Sequence, residues 1–221
     1  MKSIAQCIDY TLLKATATAA DVERMCGEAR DFQFATICIQ PIFVKLCAGL
    51  LAGSGVGVTT VIGFPFGAAK PEVKAYEAAK AVADGATEVD MVMNIGEMLS
   101  GDVEAVREDI ETVVNAVAGK AIVKVIIETA YLSAEQIREA SRIVKAAGAN
   151  FVKTSTGYAP NGAKTEDIRI IREAVGPGFG IKASGGISSY QAAKEMLEAG
   201  ATRFGASAAI KIVQEEKSSR Q

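Results

Sequence analysis

Apolar residues fall along this chain in two alternating rhythms. Short runs rich in Val, Ile, Thr and Phe are separated by longer segments whose apolar residues recur at helical spacing. The runs "AQCIDYTLL", "FATICIQ", "GVTTVIGFP", "TEVDMVMNIG", "AIVKVIIET", "NFVKTSTG", "GIKASGG" and "TRFGAS" predict eight strands. Amphipathic helices are predicted over Ala20–Arg30, Pro41–Ala52, Glu72–Ala83, Val103–Val117, Ala134–Ala147, Glu166–Ala174 and Tyr190–Ala199. Ser133-Ala-Glu-Gln136 and Thr165-Glu-Asp supply helix-start chemistry. The glycines of "DGAT", "AGAN" and "AGAT" (Gly85, Gly148, Gly200) each stand just before a strand, as helix C-terminal glycines do.

Strand-then-helix repeated eight times in 221 residues is the arithmetic of a (β/α)₈ TIM barrel near the short end of its range. A doubly wound α/β sheet usually carries a glycine-rich turn after its first strand, whereas "KATATAADV" follows here. "GSGVG" (Gly53–Gly57) precedes a strand instead of following one, so it is no dinucleotide motif. No linker or charge block divides the chain. The expectation is one barrel domain over residues 1–221, with a short flexible tail from about residue 215.

Composition narrows the chemistry. Nearly half of the residues are apolar, and a formal net charge of −2 without a basic run argues against nucleic acid. Histidine is absent, which removes Ser-His-Asp and Cys-His sites and any imidazole-bound metal, leaving Asp, Glu, Lys, Tyr or Cys for proton transfer. The four cysteines (Cys7, Cys26, Cys38, Cys47) form no C-x-x-C pair and read as reduced core thiols. In the first twenty residues Gln6, Asp9 and Lys14 interrupt any signal-peptide core, despite Ala15-Thr16-Ala17. No segment has the ~18 uninterrupted apolar residues of a membrane span. A cytoplasmic protein without membrane partners is expected.

In a barrel, function sits where strands run into βα loops. Read with a period of two, the strands place Asp9 and Thr11 inward on the first, and Cys38 and Gln40 on the second. Asp90 and Asn94 share a face of the fourth, and Lys124, Ile126 and Glu128 a face of the fifth. Lys153 lies on the sixth and Lys182 on the seventh. Asp9, Lys124 and Glu128 are read equally well as a structural ion network, since buried ion pairs prove no function.

The lysine pair is harder to explain by structure alone. Lys153 and Lys182 fall at matching depths in consecutive strands, which lie ~4.8 Å apart. Two ammonium groups at that distance repel by about 3 kcal/mol at an effective dielectric near 20. Such repulsion lowers the pKa of one of them and supplies a neutral amine for attack on a carbonyl. Gly185-Gly186 follows the seventh strand, and "FGASA" leads from the eighth into a helix at about Ser207. Glycine amides and a helix N-terminus at those two places suit a phosphate group.

"FVKTSTGY", "GIKASGGI", "EVDMVMNIG", "VIIETAYLS" and "RFGAS", with "IDYTLLKATAT" and "VIGFPFG", resemble the deoxyribose-phosphate aldolase family along essentially the whole chain. The resemblance implies a class I aldolase, without metal or cofactor, that interconverts 2-deoxy-D-ribose 5-phosphate with acetaldehyde and D-glyceraldehyde 3-phosphate. It implies Lys153 as the Schiff-base lysine, with Lys182 lowering its pKa and joining Asp90 in proton transfer. It implies phosphate contacts at Thr156, Gly157, Gly185, Gly186, Gly205 and Ser207, and places Asp9 and Thr11 near the sugar. A homodimer is the oligomeric state it suggests. This chain has Tyr10 where many relatives have histidine, Ala208 where some have a second serine, and no C-terminal tyrosine in "EEKSSRQ". Two other readings stay open: a Schiff-base aldolase for another aldehyde or keto acid, and a sugar-phosphate-binding barrel without turnover.

Overall fold

In the computed structural model, which describes residues 3–219, eight parallel strands close into a barrel in chain order. They are β1 (Ile8–Leu12), β2 (Thr36–Ile39), β3 (Gly57–Ile62), β4 (Glu88–Val92), β5 (Ile122–Ile126), β6 (Phe151–Lys153), β7 (Gly180–Ser184) and β8 (Arg203–Ala206). The helices are α1 (Ala19–Phe32), α2 (Val44–Leu50), α3 (Pro71–Ala83), α4 (Ile95–Ser100), α5 (Val103–Val117), α6 (Ala134–Ala146), α7 (Thr165–Val175), α8 (Tyr190–Glu198) and α9 (Ala209–Ser218).

Local chemistry explains most boundaries. Thr18 and Ser133 open α1 and α6 with reciprocal capping boxes to Asp21 and Gln136, which satisfy otherwise orphaned N–H groups. Gly85, Gly148 and Gly200 all take positive φ between a helix and the next strand, the conformation glycine adopts without steric cost. Outward strand residues such as Ile37, Val89, Val125 and Ile181 are buried against the helices. This double coverage is why the strands carry so many β-branched residues.

Five details differ from the sequence expectation. The first run enters the barrel late: Ile4–Cys7 is a 3₁₀ turn, and only Ile8–Leu12 pairs. The segment from Pro41 begins as a 3₁₀ turn before α2. The helix after β8 starts at Ala209, and α4, a short helix after β4, has no counterpart in the predicted set. The tail expected from about residue 215 is helical to Ser218, because the side of α9 that carries Ile212, Val213 and Glu216 is buried; residues 220–221 lie outside the described part. Tyr10, in place of a histidine, points out of the barrel, packs its ring at a tilt against Phe34 with centroids 5.2 Å apart, and donates to Glu28 at 2.8 Å. Its effect is on packing.

Candidate active site

The inward faces of the strands build an ionic lattice inside the barrel. Register places Lys153 opposite Lys182, and Asp90 opposite Lys124. Asp90 Oδ2 accepts from Lys153 Nζ at 2.8 Å and from Lys182 Nζ at 2.6 Å, while Oδ1 accepts from Lys124 Nζ at 2.8 Å. Asp9 meets Lys182 at 2.5 Å and Arg203 at 2.6 Å. Glu88 pairs with Lys124 and, at 3.3 Å, with Arg203. Thr36 and Thr59 extend the chain of hydrogen bonds from Asp9.

Four cations, Lys124, Lys153, Lys182 and Arg203, thus meet three carboxylates, Asp9, Glu88 and Asp90. Burying an excess charge is costly, so the lattice is balanced when one amine is neutral. Lys153 is the amine pushed toward the neutral form. Burial lowers its pKa and the Lys182 ammonium lowers it further, against the opposing pull of Asp90. For Lys182 burial acts in the same direction but loses to Asp9 and Asp90, which hold it above the ordinary lysine range. Lys124 is held up likewise, against burial, by Asp90 and Asp9. Asp90 is buried, which disfavours its charge, yet Lys124, Lys153 and Lys182 together keep it well below the usual carboxylate range. The repulsion expected between Lys153 and Lys182 is therefore real, but burial is the larger cause and Asp90 stands between the two amines.

Above the lattice, at the C-terminal ends of the strands, opens a cavity of about 400 Å³. Lys153, Thr11, Thr156, Gly157, Gly185, Gly186, Gly205 and Ser207 all line it. Among the described residues Lys153 is the one buried lysine on its wall. Asp90, Lys182 and Asp9 are fully buried beneath and do not line it. Gly185 and Gly186 take φ of 85° and 79°, a turn closed to most side chains. At Gly205 a Cβ would lie 2.6 Å from Ser184 Oγ, so glycine leaves the room in which Ser184 and Lys182 pack. Ser207 directly precedes the Ala208 N-cap of α9, whose side chain offers no capping bond.

Other predicted residues lie elsewhere. Asn94 does not continue the Asp90 face, because β4 ends at Val92; it caps α4, and its N–H donates to Asp109. Glu128 is no partner of Asp9 or Lys124: β5 ends at Ile126, and the carboxylate accepts from Thr156. Glu88, Arg203, Ser184, Leu13 and Ser188 belong to the lattice or the cavity wall and were not singled out. Glu88 and Arg203 stand two residues before Asp90 and Gly205, but each is the first residue of its strand. Cys26, Cys38 and Cys47 are buried thiols outside any disulfide, and Cys7 is half-buried. Among the described residues, no group of three or more Cys, Asp or Glu side chains is arranged to hold a metal ion.

A family model described as DeoC/LacD family aldolase matches residues 3–215. The chain belongs to this family. It is 53% identical over 215 residues to a Thermoanaerobacter sp. protein named deoxyribose-phosphate aldolase, the match covering 96% of each chain. A Bacillus licheniformis relative, deoxyribose-phosphate aldolase 1, is 54% identical over 212 residues, 96% of this chain and 95% of that one. Among solved structures, a deoxyribose phosphate aldolase from Aeropyrum pernix, described as tetrameric, superposes with a TM-score of 0.90 at 37% identity, covering 97% of this chain and 91% of that one. No helix among the described residues is long and apolar enough to cross a membrane.

Proposed function

We propose that this DeoC/LacD family aldolase cleaves 2-deoxy-D-ribose 5-phosphate, reversibly, to acetaldehyde and D-glyceraldehyde 3-phosphate through an imine on Lys153. The observation that carries the reading is the isolation of Lys153. It is the member of the ionic lattice that faces the cavity, and its pKa is the one among the four lattice cations that burial succeeds in lowering.

The chemistry follows from that placement. The neutral Lys153 amine adds to the sugar's aldehyde carbon, and loss of water leaves a protonated imine. Removal of the proton from the C3 hydroxyl then breaks the C2–C3 bond. The electron pair is accepted by the iminium, giving an enamine of acetaldehyde, and D-glyceraldehyde 3-phosphate departs. Protonation of the enamine at C2 and addition of water release acetaldehyde and restore the amine. Asp90, in contact with both Lys153 and Lys182, is placed to take the proton that Lys153 gives up, and Lys182 to return one. General acid–base help of this kind is worth about 10²–10⁴-fold. No step calls for a Lewis acid.

The sugar's phosphate fits the Gly185-Gly186 turn and the Ser207 end of α9 across the cavity from Lys153. Backbone N–H groups at a helix N-terminus favour an anion there. Thr11 lines the cavity, and its hydroxyl donates to the Asp9 carbonyl at 2.8 Å.

Incubation with acetaldehyde and borohydride, followed by peptide mass spectrometry, tests the reading. A reduced ethyl adduct on Lys153, blocked by deoxyribose 5-phosphate, is the expected result. Adducts scattered over exposed lysines, with Lys153 unmodified, would overturn the imine mechanism.

A further inference from the structure

The end of β5 holds a buried carboxylate that the chemistry above leaves unused. Glu128 is 1% exposed and has φ of 51° and ψ of 68°, a left-handed conformation uncommon outside glycine. Its Oε2 accepts two bonds from one residue, the Thr156 N–H at 3.1 Å and the Thr156 hydroxyl at 2.5 Å. The same hydroxyl oxygen accepts the Tyr158 N–H at 3.0 Å. One residue on, the Thr129 N–H donates to the Thr154 carbonyl at 2.9 Å. The turn after β5 is thus a template for residues 154–158, the stretch that carries Thr156, Gly157 and Tyr158 into the cavity wall.

Glu128 itself lies outside that wall, behind Thr156. It faces a second, largely apolar hollow of about 420 Å³ bounded by Pro65, Phe66, Ile95, Leu99 and Tyr131. Both protons that Thr156 has to offer go to Glu128, so neither is left for a ligand, and an anion beside Thr156 would meet a buried negative charge. A carboxylate accepting two charge-assisted bonds is a strong anchor, and the left-handed backbone persists only where surrounding contacts over-determine it.

We propose that Glu128 is a positioning residue for substrate binding. By holding Thr156 it fixes the β6–α7 loop so that Gly157 is presented to the cavity, and it directs the substrate's anionic group toward Gly185, Gly186 and Ser207. The kinetic part of this inference rests on the proposed cleavage of deoxyribose 5-phosphate; the structural part does not.

Three variants test it: Glu128→Ala, the size-conserving Glu128→Gln, and Thr156→Val. Hydrogen exchange is read first. Glu128→Ala should accelerate amide exchange in residues 154–158 with little change in the barrel strands; unchanged exchange there would overturn the proposal whatever the substrate is. In kinetics, Glu128→Ala should raise KM for deoxyribose 5-phosphate on the order of ten- to a hundredfold, the range for lost bonds to a charged group. Its kcat should stay within about threefold and its pH–rate profile should keep its midpoint, because Lys153 is untouched. Glu128→Gln, which retains one acceptor, should fall between wild type and alanine, and it serves as the readout if the alanine variant does not fold. Thr156→Val should raise KM, and adding it to Glu128→Ala should change little more, since coupled partners are non-additive. Additive effects, or a collapse of kcat at constant KM, would overturn the positioning role. A wild-type protein inert toward deoxyribose 5-phosphate would instead defeat the functional reading and leave the exchange result to decide on Glu128.

Discussion

Asp90 and Lys153 meet at 2.8 Å through the carboxylate oxygen that also receives Lys182 at 2.6 Å. That shared oxygen turns two mutually repelling amines into one connected unit whose pKa values move in opposite directions. Lys182 is the cation that the carboxylates retain, and Lys153 is the amine they do not fully compensate. The asymmetry comes from depth. Lys182 is also gripped by Asp9 at 2.5 Å, whereas the other side of Lys153 borders the cavity.

Replacing Lys182 by Met should therefore raise the pKa of Lys153. The substitution leaves Lys124, Lys153 and Arg203 against Asp9, Glu88 and Asp90, and three charges of each sign balance with Lys153 protonated. The acidic limb of the pH–rate profile should move to higher pH. Turnover near pH 7 should fall by about 10²-fold or more and recover partly as pH rises. A profile with an unmoved acidic limb would show that burial alone sets the nucleophile.

The two lysines were legible in the sequence because strand side chains alternate and a charge on an inward position stands out. Phosphate candidates were legible for a similar reason, since the loops after the seventh and eighth strands have one address in this fold. Glu88 and Arg203 were not, because a charge at a strand's first residue reads as an ordinary solvated end until the barrel closes over it. The role of Glu128 was hidden by backbone geometry. Counting by twos from Lys124 puts it on the same face, but β5 stops at Ile126 and the left-handed residue turns the side chain toward Thr156. Asp90's bridging position depends on how far two lysine side chains reach across the interior, which no periodicity encodes.

The same lattice sets the acid stability. Asp9 and Asp90 have folded-state pKa values below those of free carboxylates; burial opposes this, and the cations around them win. A carboxylate depressed in the folded state contributes stability in full above its unfolded pKa, about 4, and loses it as pH falls through the folded value. Melting temperature should fall steeply below about pH 4, and the lowered pKa of Lys153 adds stability as pH rises from its folded value toward that of free lysine. Asp9→Asn should lower stability near neutral pH by a few kcal/mol, since Lys182 and Arg203 lose the partner they share, and should flatten the acid limb. An acid limb of unchanged slope in that variant would place the acid-sensitive groups elsewhere.

Ser207→Ala tests the phosphate end separately from the imine. Ser207 lines the cavity just ahead of α9, and a bond to a charged phosphate contributes about 1.5–3 kcal/mol. KM for deoxyribose 5-phosphate should rise by about tenfold or more, while KM for unphosphorylated deoxyribose changes little and borohydride trapping at Lys153 persists. Equal effects on both sugars would move the phosphate to another part of the wall.

Asp90→Asn separates the two things Asp90 does to Lys153. Electrostatically the carboxylate raises the lysine's pKa, so its loss should leave the amine neutral to lower pH and extend imine trapping by acetaldehyde into more acidic buffer. Chemically the variant removes the acceptor between Lys153 and Lys182, and turnover of deoxyribose 5-phosphate should drop by about 10²–10⁴-fold. Lys124, Lys182 and Arg203 would then face two carboxylates, and stability should fall by about 3–5 kcal/mol, the cost of breaking a buried pair. Melting must accordingly be followed alongside both assays. Trapping that improves at low pH while turnover collapses is the combination expected of a proton relay. If trapping and turnover fell together in a folded variant, Asp90 would be acting only by orienting the lysine.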